Sequence, residues 1–158
     1  MAGPTASLLF PSKVTDAHHA ALPTRLDCGA SSGTYDDFQL EGREIDLSQL
    51  LGWTPVDRVS FAAMCNDAED HRLLARLSLD LAEEAGGIVA FGGALSIGPH
   101  LEGASPATPM RISNPEGLDG VLFATSYETV WGSFATVHFG DVAFVRAWLA
   151  DPRFHMVK

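Results

Sequence analysis

The sequence predicts an α+β fold for a single domain over residues 1–158, with one mixed β-sheet that carries helices mainly on one face. Three observations predict this class. Residues 67–85 repeat leucine side chains at steps of three and four, as an amphipathic helix does. Strand-like apolar runs flank this segment at 56–65 and 88–91, so a βαβ unit is predicted over about 56–91. Further strand patterns lie on both sides of the unit, and a chain of this length buries enough surface for one core.

The N-terminal segment predicts two short elements separated by chain breakers. Residues 6–10 form an apolar run that Pro11 ends, which indicates a first strand. Thr15 supplies a helix cap and Asp16 an acidic group in the first turn, so a short helix is predicted over 16–22.

The next segment predicts a loop, a strand and a short helix. Glycine and serine dominate residues 29–33, which is typical of a loop. Aromatic and aliphatic side chains within residues 34–40 indicate a strand. Isoleucine and leucine side chains between residues 44 and 51 lie near helical spacing, so a short helix is predicted there, ending at Gly52.

The central unit has the clearest pattern. Residues 56–65 alternate between an apolar face and a mixed face, as a strand with one buried face does. Asn66 or Asp67 is expected to cap the helix over 67–85, and Gly86 is expected to end it. The apolar stripe of this helix is predicted to contain Leu73, Leu74, Leu77 and Leu81.

The C-terminal part begins with a segment that lacks periodicity. Residues 96–117 contain four prolines and three glycines, which predicts a long irregular loop. Apolar runs at 120–127 and 133–139 indicate two strands joined by a turn. A final helix is predicted over 141–150, and the apolar side chains of Phe154, Met156 and Val157 predict a tail that docks on the domain.

The formal net charge of −10 restricts the possible partners. Nucleic acids and anionic membranes are bound through basic patches, whereas an acidic surface attracts basic proteins. No apolar run has the length of a membrane-spanning helix, and residues 1–13 lack the features of a signal peptide, so a cytoplasmic location is predicted. Cys28 and Cys65 are interpreted as buried reduced thiols, with one disulfide as the alternative.

The sequence carries no familiar catalytic motif. It has no Gly-x-Ser-x-Gly elbow, His-Glu-x-x-His helix, Cys-x-x-Cys pair or phosphate-binding loop. The glycine-rich segment 86–93 follows a helix, so it offers no helix N-terminus to a phosphate. Asp67 and His71 have the spacing of two metal ligands on one helical face, but a single pair does not make a site. No cofactor and no metal are predicted, and the interpretation favours a protein that is not an enzyme.

The first hypothesis of function is a non-catalytic protein-binding domain with an acidic contact surface for a basic protein partner. The contact residues predicted for it are Asp36, Asp37, Glu41, Asp67, Glu69 and Asp70. Trp53 and Trp131 are expected to be partly exposed, because each follows or forms a turn, whereas Trp148 is expected in the core. Exposed aromatic side chains near acids are typical of interfaces.

The second hypothesis is a small enzyme or a small-molecule-binding domain. Its pocket would lie near Gly92-Gly93 and the 96–117 loop, where glycine allows a ligand to approach the backbone closely. The candidate residues for this pocket are Cys65, His71, Gly92, Gly93, His138 and His155. The sequence leaves both hypotheses open.

Three segments carry a resemblance to a known family. They are Phe61 to Asn66 with Glu69-Asp70-His71, the glycine-rich Gly86 to Gly93, and Ala147 through the terminal Phe154-His155-Met156-Val157-Lys158. Together they resemble an uncharacterised family of small actinobacterial proteins, mainly from streptomycetes, over roughly residues 55–158. This resemblance carries over no catalytic residue. The general character is also similar to that of the immunity proteins of polymorphic toxin systems, which implies an inhibitor of a basic toxin enzyme.

Overall fold

One seven-stranded sheet organises the chain in the computed structural model. The structure describes residues 4–21, 29–34, 38–40, 43–63 and 66–157, and side chains within 4–18, 46–63 and 66–157. The described strands are β1 (Thr5–Phe10), β2 (Gly29–Thr34), β3 (Phe38–Leu40), β4 (Arg43–Ile45), β5 (Asp57–Ala62), β6 (Ile88–Ala90), β7 (Met110–Ser113), β8 (Val121–Glu128) and β9 (Phe134–Gly140). The described helices are α1 (Asp16–Ala21), α2 (Ser48–Leu51), α3 (Ala68–Ala85) and α4 (Val142–Ala150).

The sheet has the strand order β2-β5-β1-β6-β9-β8-β7, and β3 pairs with β4 in a separate hairpin. The predicted α+β class is confirmed. The sheet is not mixed as expected, because every adjacent pair of described strands is antiparallel. The predicted βαβ unit is present in a split form: β5 and β6 run in the same direction, and β1 lies between them and pairs with both.

The larger core lies between one face of the sheet and the two long helices. Alternate residues of β1, namely Ala6, Leu8 and Phe10, point to this side, as period-two alternation requires. From α3 it receives Leu74, Ala75, Leu79, Leu81 and Ala82, and from α4 Phe144, Val145 and Trp148. Leu73 was expected in the buried stripe of α3 but is 37% exposed, because it projects away from the helical face that Leu74, Ser78 and Leu81 bury.

The opposite face of the sheet carries a second, smaller core. It contains Leu9, Leu47, Ile88, Ala90, Phe123, Val137 and Phe139, with Leu50, Leu51 and Trp53 packed against it. The helix α2 covers part of this face but is shorter than predicted, since residues 43–45 form β4. The helices are therefore distributed as expected, with the two long ones on the same face of the sheet. None of the described helices has the length and apolar character needed to cross a membrane.

Two strands form where a loop was predicted. Residues 29–34 are glycine and serine rich, yet they pair with β5 along its whole length. The 96–117 segment contains β7, which pairs with β8, and a 3-10 turn at Pro115–Gly117. The side chains of β7 are mostly exposed, and its alternation of apolar and polar residues spans only four positions, Met110 to Ser113. Both strands are therefore stabilised by hydrogen bonds to a neighbouring strand. The composition of the segments that contain them does not predict this pairing.

Candidate functional site

The β8–β9 hairpin ends in a tight turn, residues 129–133, which we call the hairpin tip. The Thr129 amide donates to the Ser133 carbonyl at 2.7 Å, and the Gly132 amide donates to the Thr129 carbonyl at 3.0 Å. The Thr129 hydroxyl contacts the Ser133 hydroxyl at 2.9 Å and accepts from the Trp131 amide at 3.3 Å. Gly132 adopts a φ of 77°, which glycine tolerates best. Backbone and side-chain hydrogen bonds within the turn therefore constrain its conformation.

This turn presents apolar side chains to solvent. Trp131 is 88% exposed and its neighbour Val130 is 61% exposed. The expectation that Trp131 is exposed is confirmed, and Trp148 is fully buried as expected. Trp53 is partly buried against the second core. A tryptophan held by a constrained turn offers a large apolar contact with little loss of conformational entropy on binding.

The first turn of α3 carries the described part of the predicted acidic surface. Asp67 is the N-cap, and its Oδ1 accepts from the amides of Glu69 and Asp70 at 3.0 and 2.9 Å. Glu69 is exposed. Oδ2 of Asp70 is buried without a hydrogen-bond partner. Asp67 is exposed as well, but its carboxylate caps the helix, so Glu69 is the exposed acid of the three that the cap does not use. The other predicted contact residues, Asp36, Asp37 and Glu41, lie outside the described residues.

The register of the sheet brings this acidic turn and the hairpin tip to the same end of the molecule. Thr5 of β1 pairs with Ala62 at the end of β5, just before α3 begins. Ser7 pairs with Ala90 at the end of β6, and Ala90 pairs with Phe139 of β9. From Phe139 toward its start, β9 continues beyond β6 and ends at the tip. The hairpin tip and the start of α3 therefore lie beyond the same ends of the central strands.

Of the predicted pocket residues, His138 has a structural role. The residue is fully buried on β9. Its Nδ1 accepts from the Leu95 amide at 2.9 Å, so its Nε2 carries the proton and donates to the Pro99 carbonyl at 2.9 Å. Burial lowers the pKa of His138, against the opposing effect of the Pro99 hydrogen bond and with a smaller contribution from His100. The neutral imidazole therefore holds residues 95–99 against the sheet.

His71 connects the start of α3 to the C-terminal tail. Its Nδ1 accepts from the Met156 amide at 2.8 Å, so Nε2 carries the proton and donates to the side-chain oxygen of Asn66 at 3.0 Å. The indole of Trp148 donates to the His155 carbonyl at 3.0 Å. Met156 is 2% exposed, which confirms the prediction of a docked tail.

Among the other pocket candidates that the structure describes, Gly93 and His155 are both in contact with neighbouring groups. A Cβ on Gly93 would lie 2.7 Å from the Val157 side chain, so the tail fills the space beside this glycine. His155 Nδ1 donates to the Arg153 carbonyl, and its ring packs against Trp148. Cys65 lies outside the described residues. Within the described ranges, no group of three or more histidine, cysteine or acidic residues is arranged to hold a metal ion.

A cleft of about 540 Å³ lies on the face that carries the second core, away from all of these residues. Leu50, Leu51 and Phe123 line its apolar part. Its polar lining comes from Asp46, Gln49, Arg111 and Thr125. Sequence reasoning missed this cleft, because its residues come from α2, β7 and β8, which are far apart in the chain. The one sequence signal is Arg111, a cation inside a segment otherwise poor in charge.

We expect the His71→Ala variant to release the tail while the rest of the fold persists. The substitution leaves the Met156 amide without its acceptor, at a cost of about 1–2 kcal/mol. Hydrogen exchange should then accelerate at Met156 and Val157, with little change in β1 or β9. His18→Ala, at a partly exposed site on α1, serves as the control. Unchanged exchange at Met156 would show that other contacts hold the tail.

Comparison with known proteins identifies the family of the chain. No curated protein and no solved structure matches it. A family model described as a family of unknown function, DUF6368, matches residues 24–158. This match extends further toward the N-terminus than the resemblance noted over residues 55–158. Since it covers most of the chain, the protein belongs to DUF6368.

Proposed function

We propose that this protein is a non-catalytic protein-binding domain that recognises a basic partner through the hairpin tip and the acidic start of α3. The observation that carries the proposal is the 88% exposure of Trp131 on a hydrogen-bonded turn. Tryptophan is among the residues that contribute most to binding at interfaces, where it fills a pocket on the partner. An exposed tryptophan with no such role leaves a large apolar surface in contact with water.

The charge of the molecule supports a basic partner. The net charge is −10, and exposed acids at the same end of the sheet include Glu69, Glu102 and Glu128. Such a surface accelerates association with a positively charged protein and makes it sensitive to salt. The resemblance to immunity proteins supports a narrower form of the proposal. In that form the protein is a cytoplasmic, actinobacterial inhibitor of a basic toxin enzyme.

Affinity capture with matched variants tests the role of Trp131. Wild type, Trp131→Ala and Val56→Ala are immobilised in parallel and exposed to host lysate, and bound proteins are identified by mass spectrometry. Val56 is 38% exposed at the opposite end of β5, so it controls for removal of a surface apolar group. We expect one basic partner to bind wild type and Val56→Ala, and to bind Trp131→Ala at least about 30-fold more weakly. Equal binding to all three would refute the proposal.

The acidic part of the surface has a separate test. Glu69→Gln and Glu128→Gln are combined, and the partner's affinity is measured at low and raised salt. We expect weaker binding at low salt and a smaller salt dependence, because fewer charges remain to attract the partner. Adding Asp36→Asn, Asp37→Asn and Glu41→Gln extends the test to the remaining predicted contacts. An unchanged salt dependence in the combined variant would remove the acidic surface from the proposal and leave only the tip.

A further inference from the structure

We infer that the cleft between α2 and the outer strands β7 and β8 binds a small monocarboxylate with an apolar body. The cleft measures about 540 Å³, within the range of small-molecule sites in proteins. It shares no residue with the hairpin tip or the acidic turn, so this inference is independent of the proposed function. Its apolar wall is formed by Leu50 and Leu51 of α2 and by Phe123 of β8, which suits a short alkyl or phenyl group.

Arg111 supplies the group that would bind the carboxylate. It pairs with Phe123 across β7 and β8, so both side chains project from the same face of the sheet. The guanidinium carbon lies 5.9 Å from the centre of the Phe123 ring, a distance typical of a cation–π contact. This contact orients the guanidinium without using its N–H donors.

The charge of Arg111 is not neutralised within the described part of the chain. The carboxylates that form ion pairs there contact Arg146, Arg153 and His100, and none of them contacts Arg111. Among the described arginines without an ion pair, Arg111 is the one that lines this cleft, beside its apolar wall. A planar guanidinium binds a carboxylate through two parallel hydrogen bonds, which makes the pairing strong and directional.

Asp46 limits the charge of the ligand. Its Oδ1 accepts from the Ser48 hydroxyl at 2.6 Å and from the Ser48 amide at 2.9 Å. These bonds lower the pKa of Asp46, so the carboxylate stays ionised at neutral pH. The negative charge of Asp46 on the lining disfavours phosphates and dicarboxylates relative to a monocarboxylate. Gln49 and Thr125 offer further polar contacts at the wall.

Nuclear magnetic resonance titration tests the inference with defined probes. Hexanoate and 4-phenylbutanoate are titrated into the full chain, with hexanamide as the neutral match and inorganic phosphate as the dianion. We expect both carboxylates to shift the methyl signals of Leu50 and Leu51 in a saturable way. Hexanamide should bind at least about tenfold more weakly, because it lacks the charge that Arg111 pairs with. Equal affinity for hexanoate and hexanamide, or tighter binding of phosphate, would overturn the inference.

Variants assign the effect to Arg111. In Arg111→Gln the preference for hexanoate over hexanamide should disappear, whereas Arg76→Gln, an exposed arginine on α3, should retain it. Arg111→Lys keeps the charge but not the paired donors, so we expect an intermediate affinity for hexanoate. Thermal unfolding of each variant checks that the fold is intact. If folded Arg111→Gln bound hexanoate as well as wild type, Arg111 would not be the carboxylate contact.

Discussion

We expect the Gly120→Ala variant to lose about 4 kcal/mol of stability or to fail to fold. Gly120 adopts a φ of 97°, which side chains other than glycine rarely tolerate. A Cβ at this position would lie 2.7 Å from the Cα of Phe144 and still closer to its amide nitrogen. Both atoms belong to the backbone of α4, so rotation of a side chain cannot remove the collision.

The collision would also break the cap of α4. Oδ1 of Asp141 accepts from the Phe144 amide at 2.8 Å and from the Val121 amide at 3.0 Å. This carboxylate therefore connects the start of α4 to the start of β8. Moving α4 away from Gly120 lengthens these bonds and shifts the buried Phe144 out of the core.

Gly86→Ala provides the matched control for Gly120→Ala. Gly86 ends α3 with a φ of 74°, and nothing lies within 4 Å of the position of its Cβ. This variant should lose only about 1 kcal/mol, the cost of the backbone conformation alone. Urea unfolding of both variants, followed by circular dichroism, gives the difference caused by the collision. Equal losses in the two variants would contradict the close packing of α4 on Gly120.

We expect the His138→Ala variant to lose about 2–5 kcal/mol of unfolding free energy. The substitution leaves the Leu95 amide and the Pro99 carbonyl without their partners, and it opens a cavity beside Gly98. Residues 95–99 should then exchange their amide hydrogens faster than the strands do. Native-state hydrogen exchange at Leu95 measures this, and unchanged protection would show that the imidazole is not what holds the segment.

The same histidine predicts a pH dependence of stability. Its pKa in the folded protein is lowered from the ordinary value of 6.5, so the unfolded chain takes up a proton first as the pH falls. Its contribution to stability is therefore complete above pH 6.5 and is lost as the pH falls below that value. His138→Gln, which has no titratable group, should show a smaller loss of unfolding free energy over this range than wild type. An identical pH profile in the two proteins would place the proton uptake elsewhere.

Sequence patterns predicted the elements whose periodicity reflects their own burial. The helix α3 follows from its leucine repeat, its Asp67 cap and its terminal Gly86; the helix, the cap and the glycine are confirmed, whereas Leu73 of the predicted stripe is exposed. The strands β1, β5, β6, β8 and β9 and the helix α4 also lie within a few residues of their predicted bounds. The helix α3 and the strand β5 bury one face each, so the core and the solvent impose the spacing of their apolar residues. The central strands β1, β6 and β8 bury side chains on both faces, so continuous apolar runs mark them in the sequence.

Tertiary structure decided the features that depend on contacts between distant segments. The strands β2 and β7 form because β5 and β8 supply hydrogen-bond partners. The composition of β2 is typical of a loop, and β7 is a four-residue strand inside a segment rich in proline and glycine. The insertion of β1 between β5 and β6 leaves no mark on local periodicity, so the antiparallel order was not predictable. For the candidate sites, the sequence indicated an exposed Trp131, and the apolar strand around His138 allowed a buried, hydrogen-bonded histidine there, but it indicated neither the partners of His138 nor the cleft at Arg111. The tautomer of a buried histidine and the lining of a cleft are set by partners remote in the chain, and local patterns do not specify which partners meet.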